Sequence, residues 1–215
     1  MRNYNYVKLS EILVDLEILN LISKIHEYKG RQELYLETQP QILEKLKEIS
    51  VIQSTDASNR LEGIYTSDKR LRELVEKKTE PRNRNEQEIA GYRDTLSLVH
   101  ENYEYIKLEK NDILTLHNRL YSYYPNRNKG KYKQIENFIS EKNGKGEEFI
   151  RFRPVPPLLV EQNMEDLYNA IKSVMRNSEI DSLLYIPCFI LDFLCIHPFN
   201  DGNGRMSRLL TLLLL

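Results

Sequence analysis

Apolar residues recur at intervals of three and four along most of the chain, which predicts a mainly helical protein. From Val7 to Ile25 the residues at helical spacing are Leu9, Ile12, Leu13, Leu16, Leu19 and Ile22. From Pro40 to Leu61 the pattern repeats through Ile42, Leu43, Leu46, Ile49 and Ile52. A shorter helix is predicted over Ser67 to Glu76, opened by Ser67 and Asp68, whose short polar side chains suit a helix N-cap. Thr79 to Asn85 is polar, contains Pro81 and reads as a connector. Further helical stretches run over Glu86 to His100, Lys110 to Tyr121, Leu159 to Met175, Ser182 to Ile196 and Gly202 to Leu215.

The helical period breaks between Asn126 and Pro157. Asn137-Phe138-Ile139-Ser140 and Phe149-Ile150-Arg151-Phe152 are short β-prone runs, separated by Glu141-Lys142-Asn143-Gly144-Lys145-Gly146. Two such runs around a polar tip with glycines predict a hairpin. Arg153-Pro154-Val155-Pro156-Pro157 then delivers the chain to the next helix. The predicted class is all-α with one β-hairpin.

A chain of 215 residues is long enough to bury a core without disulfides or a structural metal. Lys and Arg number 31 against 32 Asp and Glu, a formal net charge of -1, so bulk attraction to nucleic acid or anionic lipid is not expected. No apolar run approaches a membrane span, and no charged-then-apolar leader opens the chain. A cytoplasmic protein is expected. Cys188 and Cys195 both fall in the apolar stretch before residue 197. They are seven apart, about 10 Å on a helix, too far to bridge, and are expected to be buried free thiols. Thr211 to Leu215 reads as the middle of a buried helix without a cap or polar tail, so the chain is expected to continue past Leu215 in a longer protein.

The densest chemistry lies between the last two helices, in His197-Pro198-Phe199-Asn200-Asp201-Gly202-Asn203-Gly204-Arg205-Met206-Ser207-Arg208. Gly202-Asn203-Gly204 opens a helix, whose free N–H groups and dipole favour an anion. The two glycines allow close backbone approach. Arg205 and Arg208 are three apart on one helix face, a clamp for neighbouring phosphates. Asp201 is a candidate Mg²⁺ ligand. His197 is a candidate general base near pH 7, and Phe199 is expected to point into the core. A lysine and hydroxyl of the P-loop type are absent, and so is the ligand pattern of an EF-hand. Taken alone, Asp-Gly-Asn-Gly is a turn. The conjunction with His197 and both arginines raises it to a candidate site.

This run resembles the signature of the Fic family, H-P-F-x-[DE]-G-N-G-R-x-x-R, at every specified position. Gly130-Lys131-Tyr132-Lys133, the hairpin and the proline-rich exit resemble the family's flap, with Lys133 where the family's G-x-Y-R stretch has arginine. The resemblance implies a Fic-type helical bundle, with an amino-terminal extension over 1–104 and a catalytic core over 105–215 that is incomplete at its carboxyl end. It implies transfer of AMP from ATP to a Ser, Thr or Tyr hydroxyl of a protein target, with the enzyme itself among the candidate targets. His197 would deprotonate that hydroxyl. Asp201 would hold Mg²⁺ on the phosphates. Gly202, Asn203 and Gly204 would form the anion pocket, with Asn203 on the α-phosphate. Arg205 would contact the phosphates and Arg208 the γ-phosphate. The hairpin, through Phe138, Ile139, Ile150 and Phe152, would dock the target's main chain. Gly204, where the phosphate-transferring branch of the family has lysine, favours nucleotidyl transfer.

One segment outside the motif joins this picture. In Ser58-Asn59-Arg60-Leu61-Glu62-Gly63, Ser58 and Glu62 are four apart and share a helix face. By themselves they read as a solvated helix end followed by a glycine cap. The segment also resembles the family's inhibitory helix, [ST]-x-x-x-E-[GN], over residues 55–63. The resemblance implies that Glu62 pairs with Arg208 and takes the space of the γ-phosphate. Two other roles stay open at this point. One is removal of AMP from a modified protein with Glu62 activating water. The other is a non-catalytic nucleotide-binding regulatory module.

Overall fold

The computed structural model describes residues 4–9, 15–125, 127–176 and 180–215. Among them the chain forms α1 (Leu16–Thr38), α2 (Pro40–Arg60), α3 (Asp68–Glu76), α4 (Arg84–Asn102), α5 (Lys110–Leu120), strands β1 (Ile139–Lys142) and β2 (Glu148–Phe152), then α6 (Pro157–Met175), α7 (Ser182–Ile196) and α8 (Asn203–Leu214). A short 3-10 turn covers Tyr6–Lys8. The all-α class with one antiparallel hairpin stands.

The core forms where α4, α5, α6, α7 and α8 turn their apolar faces inward. Leu96, Ile113, Leu116, Met164, Leu167, Phe189, Phe193, Met206 and Leu209 are buried there together. α8 packs against α7, α4 and the end of α2, so both sides of its first turn are supported by other helices. A smaller cluster of Ile64, Leu71, Leu74, Val75 and Ile89 fixes α3 beside α4. The Ser67 side chain accepts a hydrogen bond from the Arg70 N–H, which starts α3 at the expected position. The connector before α4 is anchored by Arg70, which donates to both Glu86 oxygens (3.1 and 3.0 Å) and to Thr79 (2.7 Å).

The amino-terminal expectation is only partly met. Leu9 lies just beyond the 3-10 turn, and Ile12 and Leu13 lie outside the described residues. The helix that contains Leu16, Leu19 and Ile22 starts at Leu16, after the Asp15 cap, and continues to Thr38. Its apolar spacing made the helix visible but did not give its extent, because none of its described side chains is buried and no core marks where it stops. Cys188 and Cys195 form no disulfide and are half-buried rather than buried. Among the described residues, no helix is long and apolar enough to cross a membrane.

Candidate active site

Local backbone chemistry builds the loop between α7 and α8. His197 adopts a left-handed conformation (φ 51°) and its N–H donates to the Phe193 carbonyl (2.9 Å). Pro198 follows with no N–H to offer, so α7 ends there. The loop is then closed by one side chain. Asn203 accepts from the Phe199 N–H (2.9 Å) and donates to the Phe199 carbonyl (2.8 Å). Gly202 has φ 83° and leaves no room for a side chain, since a Cβ would lie 2.9 Å from the Tyr121 hydroxyl. The Phe199 ring is fully buried and stacks on His117, with centroids 3.8 Å apart and planes within 2°.

His117 holds the other side of the loop. The Gly130 N–H donates to its Nδ1 (2.9 Å), so the proton of the neutral ring is on Nε2, which donates to the Asp201 carbonyl (3.1 Å). Burial pushes the His117 pKa down to about 4, which keeps this tautomer neutral through the physiological range. The base of the hairpin touches the same loop. The Lys133 N–H donates to the Pro198 carbonyl (2.8 Å), and Asn137 donates to the Phe199 carbonyl (3.2 Å).

The two motif arginines diverge. Arg205 is buried between the Glu88 carboxylate (2.9 Å) and the Tyr121 hydroxyl (2.8 Å). Glu88, itself buried, also accepts from Arg84 (2.9 Å). A buried carboxylate needs a cation, and this one draws Arg205 inward. Arg205 and Arg208 therefore do not share one face as the spacing suggested, and the Arg205 side chain lies inside the fold. Arg208 points the other way. It donates to the Ser58 hydroxyl (2.7 Å), the Ser58 carbonyl (3.0 Å) and Glu62 Oε1 (2.6 Å). The Glu62 carboxylate rests on Gly204, so closely that any side chain there would collide with it. Glu62 is one residue past the C-cap of α2, in the turn that Gly63 completes at φ 73°. The expected inhibitory helix thus ends in a turn that carries its glutamate.

His197 is half-buried. Its pKa is lowered, first by burial and second by the Lys133 ammonium, with the Leu194 backbone and the Glu62 and Asp201 carboxylates pulling upward. The ring is thus neutral near pH 7 and able to accept a proton. Asp201 is about half exposed (52%) beside the turn, and its Oδ1 accepts from the Gly202 N–H (2.6 Å). The Asn203 side-chain amide holds Phe199 in both directions, and the residue lies at the start of α8.

Phe138, Ile139, Ile150 and Phe152 are all exposed on the hairpin. Ile139 lies opposite Phe152 and Ser140 opposite Ile150, with a bulge between Ile139 and Ser140. Among the described residues the two strands pair only with each other, leaving outer edges open to another strand. Sequence reasoning missed Glu88, Tyr121, His117 and Asn137, and saw Lys133 only as a departure from the family's arginine. The one available signal was His117, a polar residue in the apolar stripe of Ile113, Leu116 and Leu120.

A Fic/DOC family model matches residues 107–215. The chain belongs to the Fic/DOC family. Among solved structures, a Fic domain containing signaling protein from Bacteroides thetaiotaomicron is similar at TM-score 0.71 and 21% identity, over 82% of this chain and 66% of that one. A Fic family protein from Desulfovibrio desulfuricans follows at TM-score 0.69 and 23% identity, over 94% and 57%. Fic-1 from C. elegans is similar at TM-score 0.61 and 19% identity, over 97% and 65%. This chain thus spans 57% to 66% of those relatives' lengths. No curated protein matches the chain significantly.

Proposed function

We propose that this Fic protein is an adenylyltransferase that moves AMP from ATP to a hydroxyl of a protein target and is restrained by Glu62. The observation that carries the reading is the seat of the Glu62 carboxylate. It lies on Gly204 at the start of α8 and is bonded to Arg208. A helix start with two glycines is an anion site, and a carboxylate already occupies it. The N–H groups of this first turn, Arg208 and Asp201 are then the groups available to a phosphate chain. Arg205 supports the turn from below through Glu88 and Tyr121.

In this reading the target oxygen forms a bond to the α-phosphorus, the bond to the pyrophosphate oxygen breaks, and pyrophosphate leaves. His197 takes the hydroxyl proton, and its lowered pKa keeps it unprotonated for that role. Among the described residues no group of three or more His, Cys, Asp or Glu side chains could hold a metal ion. Asp201 alone fits Mg²⁺, which accepts one carboxylate with phosphate and water oxygens. Bound there, Mg²⁺ would neutralise phosphate charge. The exposed hairpin edges offer strand pairing to an extended target segment. The division near residue 105, with the restraint in the extension and the chemistry in the core, belongs to the same reading.

The test uses labelled ATP with Mg²⁺, on the protein itself and on lysate proteins. Glu62→Gly should raise protein-linked AMP above wild type. Adding His197→Ala should cut it by about 10²–10⁴-fold with ATP binding retained. A Glu62→Gly protein no more active than wild type would sink the restraint. Loss of label from a modified target would point instead to AMP removal, and binding without either to a sensor.

A further inference from the structure

The polar groups around His197 have a distribution that the transfer chemistry does not require. The carbonyls of Ile196, Pro198 and Phe199 frame His197 on both sides, and all three are held from the base of the hairpin. Lys133 Nζ donates to the Ile196 carbonyl (3.4 Å), and its N–H donates to the Pro198 carbonyl (2.8 Å). Asn137 donates to the Phe199 carbonyl (3.2 Å) and accepts from Lys133 Nζ (2.8 Å). Lys133 is 3% exposed although it carries an ammonium on an irregular segment between half-buried Tyr132 and exposed Gln134. Burying a lysine is unfavourable unless its hydrogens find acceptors, and here two of them do.

We propose that Lys133 and Asn137 are positioning residues that latch the main chain of His197 to the base of the hairpin, so that the target-docking element and the base of the reaction are held as one unit. His197 sits in a left-handed conformation that an L residue keeps only when its surroundings enforce it. The closure by Asn203 fixes Phe199 from the α8 side. The latch fixes residues 196, 198 and 199 from the hairpin side. Two residues after Asn137 the strand β1 begins, so displacement of the hairpin by a docked segment would be felt at these carbonyls. Burial lowers the Lys133 pKa to about 8, so it is mostly protonated at neutral pH, and its charge in turn disfavours protonation of His197. The charged groups facing this pair are Glu62 and Asp201 toward His197 and Glu136 toward Lys133.

The inference rests on the adenylyl-transfer reading, and its test separates the two. In a Glu62→Gly background, Lys133→Gln should lower kcat for protein-linked AMP by about 10²-fold, the scale for a misplaced catalytic group. KM for ATP should move less than about threefold, because the latch touches no phosphate-binding group. The His197 ring, followed by NMR titration, should titrate at higher pH in Lys133→Gln, since a nearby positive charge is gone. Lys133→Arg should recover most of the rate and keep the titration low. The proposal requires both the kcat loss and the titration shift, and absence of either one overturns it. Loss of ATP affinity equal to the loss of rate also overturns it, as it would make the latch a general fold contact. If the Glu62→Gly parent transfers no AMP, the adenylyl-transfer reading fails, and the His197 titration alone decides the latch. If Lys133→Gln shows no cooperative melt, the half-exposed Asn137→Ala decides, with a kcat loss of about tenfold at unchanged KM expected and an unchanged kcat overturning the latch.

Discussion

The inner and outer flanks of α8 carry arginines three residues apart, and each meets a glutamate from another part of the chain, Glu88 on α4 and Glu62 in the turn after α2. On the inner flank, the Arg205 and Glu88 side chains are 1% and 3% exposed. On the outer flank, Arg208 and Glu62 are each 31% exposed. The chemistry of the two pairs is the same and the surroundings differ. A pair shut away from water cannot be opened without orphaning a charge. A pair one-third open to water is screened, and either member can exchange its partner at little cost. The Glu62–Arg208 pair is thus only partly shielded from water. One arginine is locked into the fold, and the other is placed to change its partner.

The largest expected effect breaks the inner pair. Glu88→Ala leaves Arg205 buried without its carboxylate and should cost about 3–5 kcal/mol in urea unfolding. Glu62→Ala should cost less than about 1 kcal/mol in the same measurement. Similar losses for both would erase the distinction between the flanks. The next effect sharpens it through pH. His117 has a folded pKa of about 4 against an ordinary value near 6.5. Above 6.5 both folded and unfolded forms are neutral, and its effect on stability is constant. Between 6.5 and 4 the unfolded chain takes up a proton that the folded chain refuses, so stability falls as pH falls. The loss should be about 2 kcal/mol from pH 6.5 to pH 5, and His117→Gln should remove that part of the pH slope. The smallest effect on stability lies at the hairpin. Ile150→Asp should change unfolding by less than about 0.5 kcal/mol and leave ATP binding intact, while target labelling falls. A large loss of stability there would tie Ile150 to the core.

Much of this was legible in the sequence, and the reasons are local. The motif is contiguous, so its turn and its helix start could be placed from spacing alone. α7 covers the expected Ser182 to Ile196, and in the structure the Asp181 side chain caps its start by accepting from the Leu183 N–H. The hairpin showed itself as a break in period. The partners that decide each polar residue's direction were not legible, since they come from distant helices. Nothing near Arg205 announces that Glu88 will meet it, and nothing near Phe199 announces the His117 stack. The spacing of Ser58 and Glu62 suggested a shared helical face, yet Glu62 reaches Arg208 only because α2 ends at Arg60 and the chain turns.

The backbone at position 197 places chemistry and durability in opposition. The end of a helix in the left-handed region is where glycine is most at ease, and any other L residue carries a steric cost there of about 1–2 kcal/mol. Selection for a longer-lived fold would drift toward glycine at that position and lose the imidazole. The histidine marks a trade in which the molecule keeps a less comfortable chain for a group that can take a proton, so consensus-style stabilisation would have to spare the residue where it has the most to gain.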